Sequence, residues 1–201
     1  MKKSSKNNTK SRIVSAAWEL FYMYGYDNTT IDDIVEASHT SKGSFYHYFE
    51  SKDDLIGSLS YLFDDKYEEL SSTLDPKLDP LEKLSYLNQE LFLMIENTVS
   101  VSLLSQLFST QLVTKGEKHM LEPDRTYYRL LRQIVLEGKE KDYFRDDLSV
   151  NDIMKAYAMF ERGMMYDWCL SSGNYSLYQY SKQILPLFLE SLCNQSSKTI
   201  S

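Results

Sequence analysis

Apolar residues follow a helical period over nearly the whole chain. Ile13, Ala16, Ala17, Leu20, Phe21 and Tyr24 fall at i, i+3, i+4, i+7, i+8 and i+11, the spacing that lines one side of an α-helix. Thr9 is placed to cap this first helix and Gly25 to stop it. Thr30 opens "TIDD", a capping threonine with an acid three residues on, and Ile31, Ile34 and Val35 form the buried face behind it. "ASHTS" breaks the period. Ser41 then caps a short helix with Phe45, Tyr48 and Phe49 inside, and Ser51 caps a long fourth helix carrying Leu55, Leu59, Leu62, Phe63 and Leu70. After "DPKLDP" the period predicts helices over 80–98, 100–115, 124–141, 149–172 and 176–194, with connections over 115–124 and 170–176. No alternating strand pattern intervenes, and seven glycines and four prolines in 201 residues leave little for a loop-rich fold. The expectation is an all-α chain in which three short helices (domain 1–52) are joined by a long helix to a larger helical domain (53–201).

Several classes of function are set aside by composition. The longest purely apolar run, "LFLMI" at 91–95, is far too short to span a bilayer. The basic start "MKKSSKNNTKSR" is not followed by an apolar segment, so it does not read as a secretory signal. Cys169 and Cys193 lack metal or redox spacing and read as free thiols of a reducing compartment, with a cytoplasmic location expected. HExxH, GxxxxGK and GxSxG are all missing, and three scattered histidines suggest no triad. No enzyme, cofactor or metal is expected. The net charge of −7 argues at first against a nucleic-acid partner, but residues 1–52 carry +1 and the remainder −8. That asymmetry suggests two parts with different partners.

The short third helix carries the informative face. With Phe45 inward and ~100° per residue, Tyr48 and Phe49 fall within about 60° of it, while Gly43 and His47 lie opposite. Ser44 and Tyr46 flank them, and Thr40, Ser41 and Lys42 form the N-terminal lip. The outward set holds hydroxyls, a phenol and a cation, with no carboxylate. A glycine in mid-helix costs about 1 kcal/mol against alanine, and close approach of the backbone to a large partner is a reason to accept it. A two-helix unit presenting such a face has the design of a helix-turn-helix entering a major groove, and the start of the helix favours phosphate.

The stretch "RIVSAAWELFYMYGYDNTTIDDIVEASHTSKGSFYHYFESKDDLIGSLS" resembles the DNA-binding region of the TetR family of bacterial transcriptional regulators over about residues 10–60. The motifs "TTIDDI", "SKGSFYHYF" and "SKDDL" agree together. The resemblance implies an all-α homodimer with a variable C-terminal effector domain, acting as a ligand-responsive repressor on a palindromic operator. Carried over by residue, Thr40 and Ser44 would meet base edges. Lys42, Tyr46 and His47 would hold phosphates, with Ser41 and Gly43 at the same surface. Thr29 and Thr30 would offer a hydroxyl and helix-start amides to another phosphate, and Lys52 would reach a further one. One departure is "EASHTSKG", where Ser38 and His39 replace the usual alanine–glycine, so the turn would rely on a side-chain hydrogen bond. His39 reads as a turn residue. A helical protein-interaction module that does not bind DNA, or an activator, are the competing readings.

The C-terminal half is rich in Tyr, Phe and Met. Ile153, Tyr157, Phe160, Met164 and Trp168 make one stripe, and Met154, Ala158, Glu161 and Met165 a neighbouring one. Packing is the simpler reading for any one of them. The functional reading makes Tyr157, Phe160, Glu161, Met164, Met165 and Trp168 part of a cavity for an apolar or aromatic effector. Glu161 and Arg162 interrupt the apolar pattern, and a solvent or interface position is the simpler reading of both. Leu177, Tyr180, Ile184, Leu187, Phe188 and Leu192 give the last helix a wide apolar face that could form a four-helix bundle with a second copy. Pro186 inside it should kink it. Trp18, about 140° from the first helix's buried stripe, should be partly exposed.

Overall fold

A computed structural model describes residues 3–57, 59–113 and 118–194. Its elements are α1 (Lys3–Tyr24), α2 (Ile31–Ala37), α3 (Lys42–Tyr48), α4 (Lys52–Gly57), α5 (Leu59–Thr73), α6 (Pro80–Thr98), α7 (Val101–Val113), α8 (Thr126–Glu140), α9 (Val150–Leu170) and α10 (Leu177–Leu192), with one 3-10 turn at His119–Leu121. Among the described residues there is no β-strand, only an isolated antiparallel bridge between Phe144 and Cys193. The all-α expectation holds. No single described helix is long and apolar enough to cross a membrane.

Two differences from the sequence expectation lie in the first half. Thr9 does not cap α1, which begins at Lys3; no proline or glycine precedes Thr9 to interrupt the turn, so the helix runs through it. Residues 1–2 of the basic start lie outside the described residues. The expected long fourth helix is present as α4 and α5 on either side of Ser58, which also lies outside them. Gly25 ends α1 as its position suggests: it has φ +81, the left-handed conformation that ends a helix without steric cost to glycine.

The chain divides into two compact units, one formed by residues 1–61 and 98–120, the other by 62–97 and 121–201. In the first, α1 packs on α2 and α3 through the fully buried Ile13, Ala17, Phe21, Ile34 and Phe45. The second face of this unit is closed by α7, whose Leu103, Leu104 and Leu107 are buried and which packs on α4. Trp18 is half-buried, as its angle on the helix suggested; its indole N–H has no hydrogen-bond partner among the described residues.

The second unit packs α6, α8, α9 and α10 around Leu84, Leu91, Phe92, Val135, Tyr157 and Leu185. Lys83 is buried here, and its Nζ donates to Glu137 Oε2 at 2.6 Å. Arg125 Nε donates to Asp64 Oδ2 at 2.8 Å, tying α5 to the start of α8. Pro186 lies inside α10, where it cannot donate the usual backbone bond one turn back.

Candidate nucleic-acid interface

Two caps set the helix-turn-helix. Thr30 Oγ1 accepts from the backbone N–H of Asp33 at 3.2 Å, and Asp33 Oδ2 accepts from the backbone N–H of Thr30 at 2.8 Å. This reciprocal box satisfies two helix-start donors at once. The bonds from Thr30 also hold the Asp33 carboxyl below its ordinary pKa. At α3, Ser41 Oγ accepts from the Ser44 N–H at 3.1 Å and lies 3.0 Å from the Ser44 hydroxyl.

Between the helices, Ser38 and His39 do what the sequence suggested, with help from outside. His39 takes φ +50, a left-handed position where a non-glycine side chain is strained. The Ser38 hydroxyl donates to the Val35 carbonyl at 3.2 Å and pairs with the Thr40 hydroxyl at 2.7 Å. The guanidinium of Arg12 on α1 donates to the Ser38 carbonyl and, at 2.7 Å, to the His39 carbonyl. Sequence reasoning counted Arg12 only as part of a basic tail. Its role required knowing that α1 passes the end of α2.

Phe45 is fully buried and Phe49 nearly so, and α3 turns its other side outward. Ser41, Lys42, Gly43, Tyr46 and His47 are exposed; Thr40 and Ser44 are half-buried. A Cβ on Gly43 would meet nothing nearer than Ser41 Oγ at 3.8 Å, so that side of the helix is open. The Tyr46 ring is steadied edge-on against Phe45, with centroids 5.5 Å apart. Lys42 Nζ pairs with Asp32 Oδ1 at 2.7 Å on the surface.

Thr29 and Lys52 stand differently from the other eight. Thr29 is buried, and its hydroxyl donates to the Gly25 carbonyl at 2.9 Å. Lys52 is half-buried; its ammonium donates to the carbonyls of Tyr26 at 2.7 Å and Thr29 at 2.8 Å, and lies 4.0 Å above the Tyr26 ring centroid. Both side chains hold the α1–α2 connection against α4. Thr30 remains exposed at the start of α2.

In the second unit the six expected effector residues stand in different local settings. Tyr157 is buried with its hydroxyl donating to the Leu84 carbonyl at 2.8 Å. Phe160, half-buried, stacks on Phe188 with centroids 4.5 Å apart. Met164 and Met165 are buried. Trp168 is also buried, and its indole N–H donates to the Tyr175 carbonyl at 2.9 Å, clamping the turn after α9. Glu161 corrects the solvent-facing reading: it is 2 % exposed. Its Oε1 accepts from Asn88 Nδ2 at 3.0 Å and its Oε2 from the Tyr127 hydroxyl at 2.8 Å. Burial pushes its carboxyl above the ordinary value, against the lowering effect of these bonds. The Ser181 hydroxyl donates to Asn88 Oδ1, so the network joins α6, α8, α9 and α10. Tyr67 is buried with its ring 4.9 Å from that of Tyr127, and its hydroxyl has no hydrogen-bond partner among the described residues.

A groove of about 470 Å³ does open on this unit, between α8 and α9. It is lined by Leu121, Pro123, Tyr128, Arg129, Arg132, Asn151, Met154, Lys155, Ala158 and Arg162, and by none of the six expected residues. Arg129, Arg132 and Lys155 carried no sequence signal because they sit at ordinary surface positions of two helices and converge only when α8 packs on α9, whereas Arg162 stands out in the sequence only as a break in the apolar stripe. Among the described residues no group of three or more His, Cys, Asp or Glu side chains is placed to hold a metal ion.

Comparison with known proteins agrees with this geometry. Residues 13–67 match the family described as bacterial regulatory proteins, tetR family, and residues 63–191 match the YsiA-like protein, C-terminal region. The chain is similar to the HTH-type transcriptional repressor KstR2 of Mycobacterium tuberculosis, with 26 % identity over 91 % of this chain and 92 % of the relative. Its fold matches Thermus thermophilus FadR, a repressor solved in complex with lauroyl-CoA, at a TM-score of 0.74 with 22 % identity over 96 % of this chain and 99 % of that one. It also matches Bacillus subtilis FadR in complex with stearoyl-CoA, at a TM-score of 0.70 with 20 % identity over 90 % of this chain and 98 % of that one. With a capped helix-turn-helix at one end and both parts of the chain matched, the protein belongs to the TetR family of bacterial regulatory proteins and is a DNA-binding transcriptional regulator.

Proposed function

We propose that the protein is a homodimeric repressor of a palindromic operator, released when a small apolar effector occupies its C-terminal helices. The observation that carries this reading is the open outward face of α3, with Gly43 at its centre and Lys42, Ser44, Tyr46 and His47 around it. Thr40 and Ser44 offer hydroxyls to base edges. Lys42, Tyr46, His47 and the exposed Thr30 offer donors to phosphates. Lys42 must exchange Asp32 for phosphate, which an exposed pair does at little cost. Thr29 and Lys52 serve DNA binding by shaping the loop before α2. The DNA contacts are thus assigned to residues 1–52 and the effector and dimer functions to 53–201.

Dimerisation through α9 and α10 is supported by the apolar side chains these helices leave exposed, among them Met159, Leu170, Tyr180 and Leu187. Two α3 helices would then meet half-sites roughly 34–36 Å apart. FadR proteins of the same fold are named with acyl-CoA ligands, which makes a fatty acyl thioester the first effector to test. The cytoplasm is the compartment such a regulator would work in.

The test is selection of bound sequences from random duplex DNA by the purified protein. Enrichment of a palindrome is expected, with affinity reduced by the effector. A pool without palindromic enrichment sinks the reading.

A further inference from the structure

The second unit is acidic, with 13 basic against 20 acidic residues and a net charge of −7. Against that background, four cations converge in the α8–α9 groove, and no carboxylate lines it. Arg129 donates to the Asp124 carbonyl and to Thr126 Oγ1 at 2.8 Å. Arg132 donates to Asn151 Oδ1 at 3.2 Å, and Arg162 to the Tyr128 hydroxyl at 3.3 Å. These partners are neutral oxygens, so the guanidinium charges are uncompensated by any ion pair among the described residues. Two acids on α9 are engaged by other groups: Asp152 caps α9 through Ser149, and Glu161 is buried with Asn88 and Tyr127.

Like charges gathered in one concave site repel one another unless an anion joins them. Arginine is suited to that anion when it is a phosphate, because its planar fork meets two oxygens at once. The groove also has an apolar side formed by Met154, Ala158 and Leu121. Its volume of about 470 Å³ is in the range of small-molecule sites, which run from ~300 to 1,000 Å³.

We propose that the α8–α9 groove is the binding site for the phosphate-bearing part of an amphiphilic effector, held by Arg129, Arg132, Lys155 and Arg162, with the apolar side taking the adjoining limb. This deepens the ligand-responsive reading above and rests on it. The groove and the buried Glu161 network share α8 and α9: Tyr127 and Glu161 are sequence neighbours of Tyr128 and Arg162. An anion drawing Arg162 away from Tyr128 would act on the two helices that hold the core network.

The test measures direct binding of lauroyl-CoA, coenzyme A and laurate to the full chain, without DNA, for the wild type and for Arg129→Glu/Arg132→Glu. Both substitutions are at exposed positions of α8, and a melting curve checks the fold. Lysine 182, exposed on α10, supplies the control Lys182→Glu. The double variant should bind lauroyl-CoA and coenzyme A at least tenfold more weakly than wild type and lose most of the salt dependence, while laurate changes less than twofold. Lys155→Gln should weaken the two phosphate ligands in the same direction. Unchanged affinity for lauroyl-CoA in the double variant overturns the proposal. So does loss of dimerisation by sedimentation without loss of ligand, which would make the groove a contact between copies. Operator affinity is measured separately. Phosphate ligands that bind through the groove but leave operator affinity unmoved would uphold the site and refute ligand release. Release by laurate, with neither phosphate ligand binding, would do the reverse.

Discussion

His39 is one of three non-glycine residues with a left-handed φ among the described residues, with Asp142 and Ser172. Its φ of +50 is stabilised by Arg12 from α1 and by the Ser38–Thr40 hydroxyl pair, not by its own backbone freedom. Replacing it with glycine removes a strain of about 1 kcal/mol. His39→Gly should therefore raise Tm by roughly 2–4 °C for a chain of this size and leave operator affinity unchanged; a fall in Tm would show that the imidazole makes a needed contact. Gly43 is the opposite case, a glycine with no local need for one. Gly43→Leu should keep or slightly raise helix stability, by up to about 0.8 kcal/mol, because its Cβ enters open space. Specific operator binding should fall at least a hundredfold in a gel-shift titration. Wild-type affinity in this variant would mean that DNA does not approach this side of α3.

At the scale of elements, the second unit is decided by what lies between its helices. Gly138 in α8 packs under the buried Phe144 ring: a Cβ there would lie 2.2 Å from Phe144 Cε2 and 3.2 Å from Pro80 Cβ. Overpacking of this kind costs ~1–3 kcal/mol, and an immobile ring at that distance puts it at the upper end. Gly138→Ala should lower Tm despite the better helix propensity of alanine, and an equal or higher Tm would mean that Phe144 moves aside. Glu161 joins four helices by polar bonds in a buried setting. Its carboxyl titrates above its ordinary value near 4.5 because burial disfavours the charge. For an acid with a raised folded pKa, the folded state holds the proton more tightly than the unfolded chain. That contribution to stability is complete below about pH 4.5 and is lost as pH rises through the folded value. Glu161→Gln stays neutral, so the variant should gain in Tm relative to wild type as pH increases from 4.5 to 8. A difference that does not change with pH would show that Glu161 titrates normally.

At the scale of the whole molecule, exposed leucines bear on assembly. Leu187 on α10 is 63 % exposed and Leu136 on α8 is 38 % exposed. If α9 and α10 form the seam between two copies, Leu187→Glu buries a charge there and should shift sedimentation to the monomer, with loss of palindrome binding. Leu136→Glu should change neither. Dimers that survive Leu187→Glu would move the seam to other helices.

Helix type and most helix bounds were legible because the apolar period is local: the period predicts a helix over 80–98, and α6 is Pro80–Thr98. The outward face of α3 was legible for the same reason. A seven-residue helix with one buried phenylalanine leaves little choice about which side faces out. Even the glycine-free turn after α2 could be anticipated from Ser38 and His39, since its chemistry lies within three residues. What sequence order could not decide was where a polar side chain goes once other elements arrive. Lys52 meets carbonyls 26 and 23 positions earlier, Arg12 meets carbonyls 26 and 27 positions later, and Glu161 meets Asn88 across 73. Periodicity assigns a residue to a face, and burial then depends on what covers that face. The cations of the α8–α9 groove come from separate helices, and only packing brings their charges together.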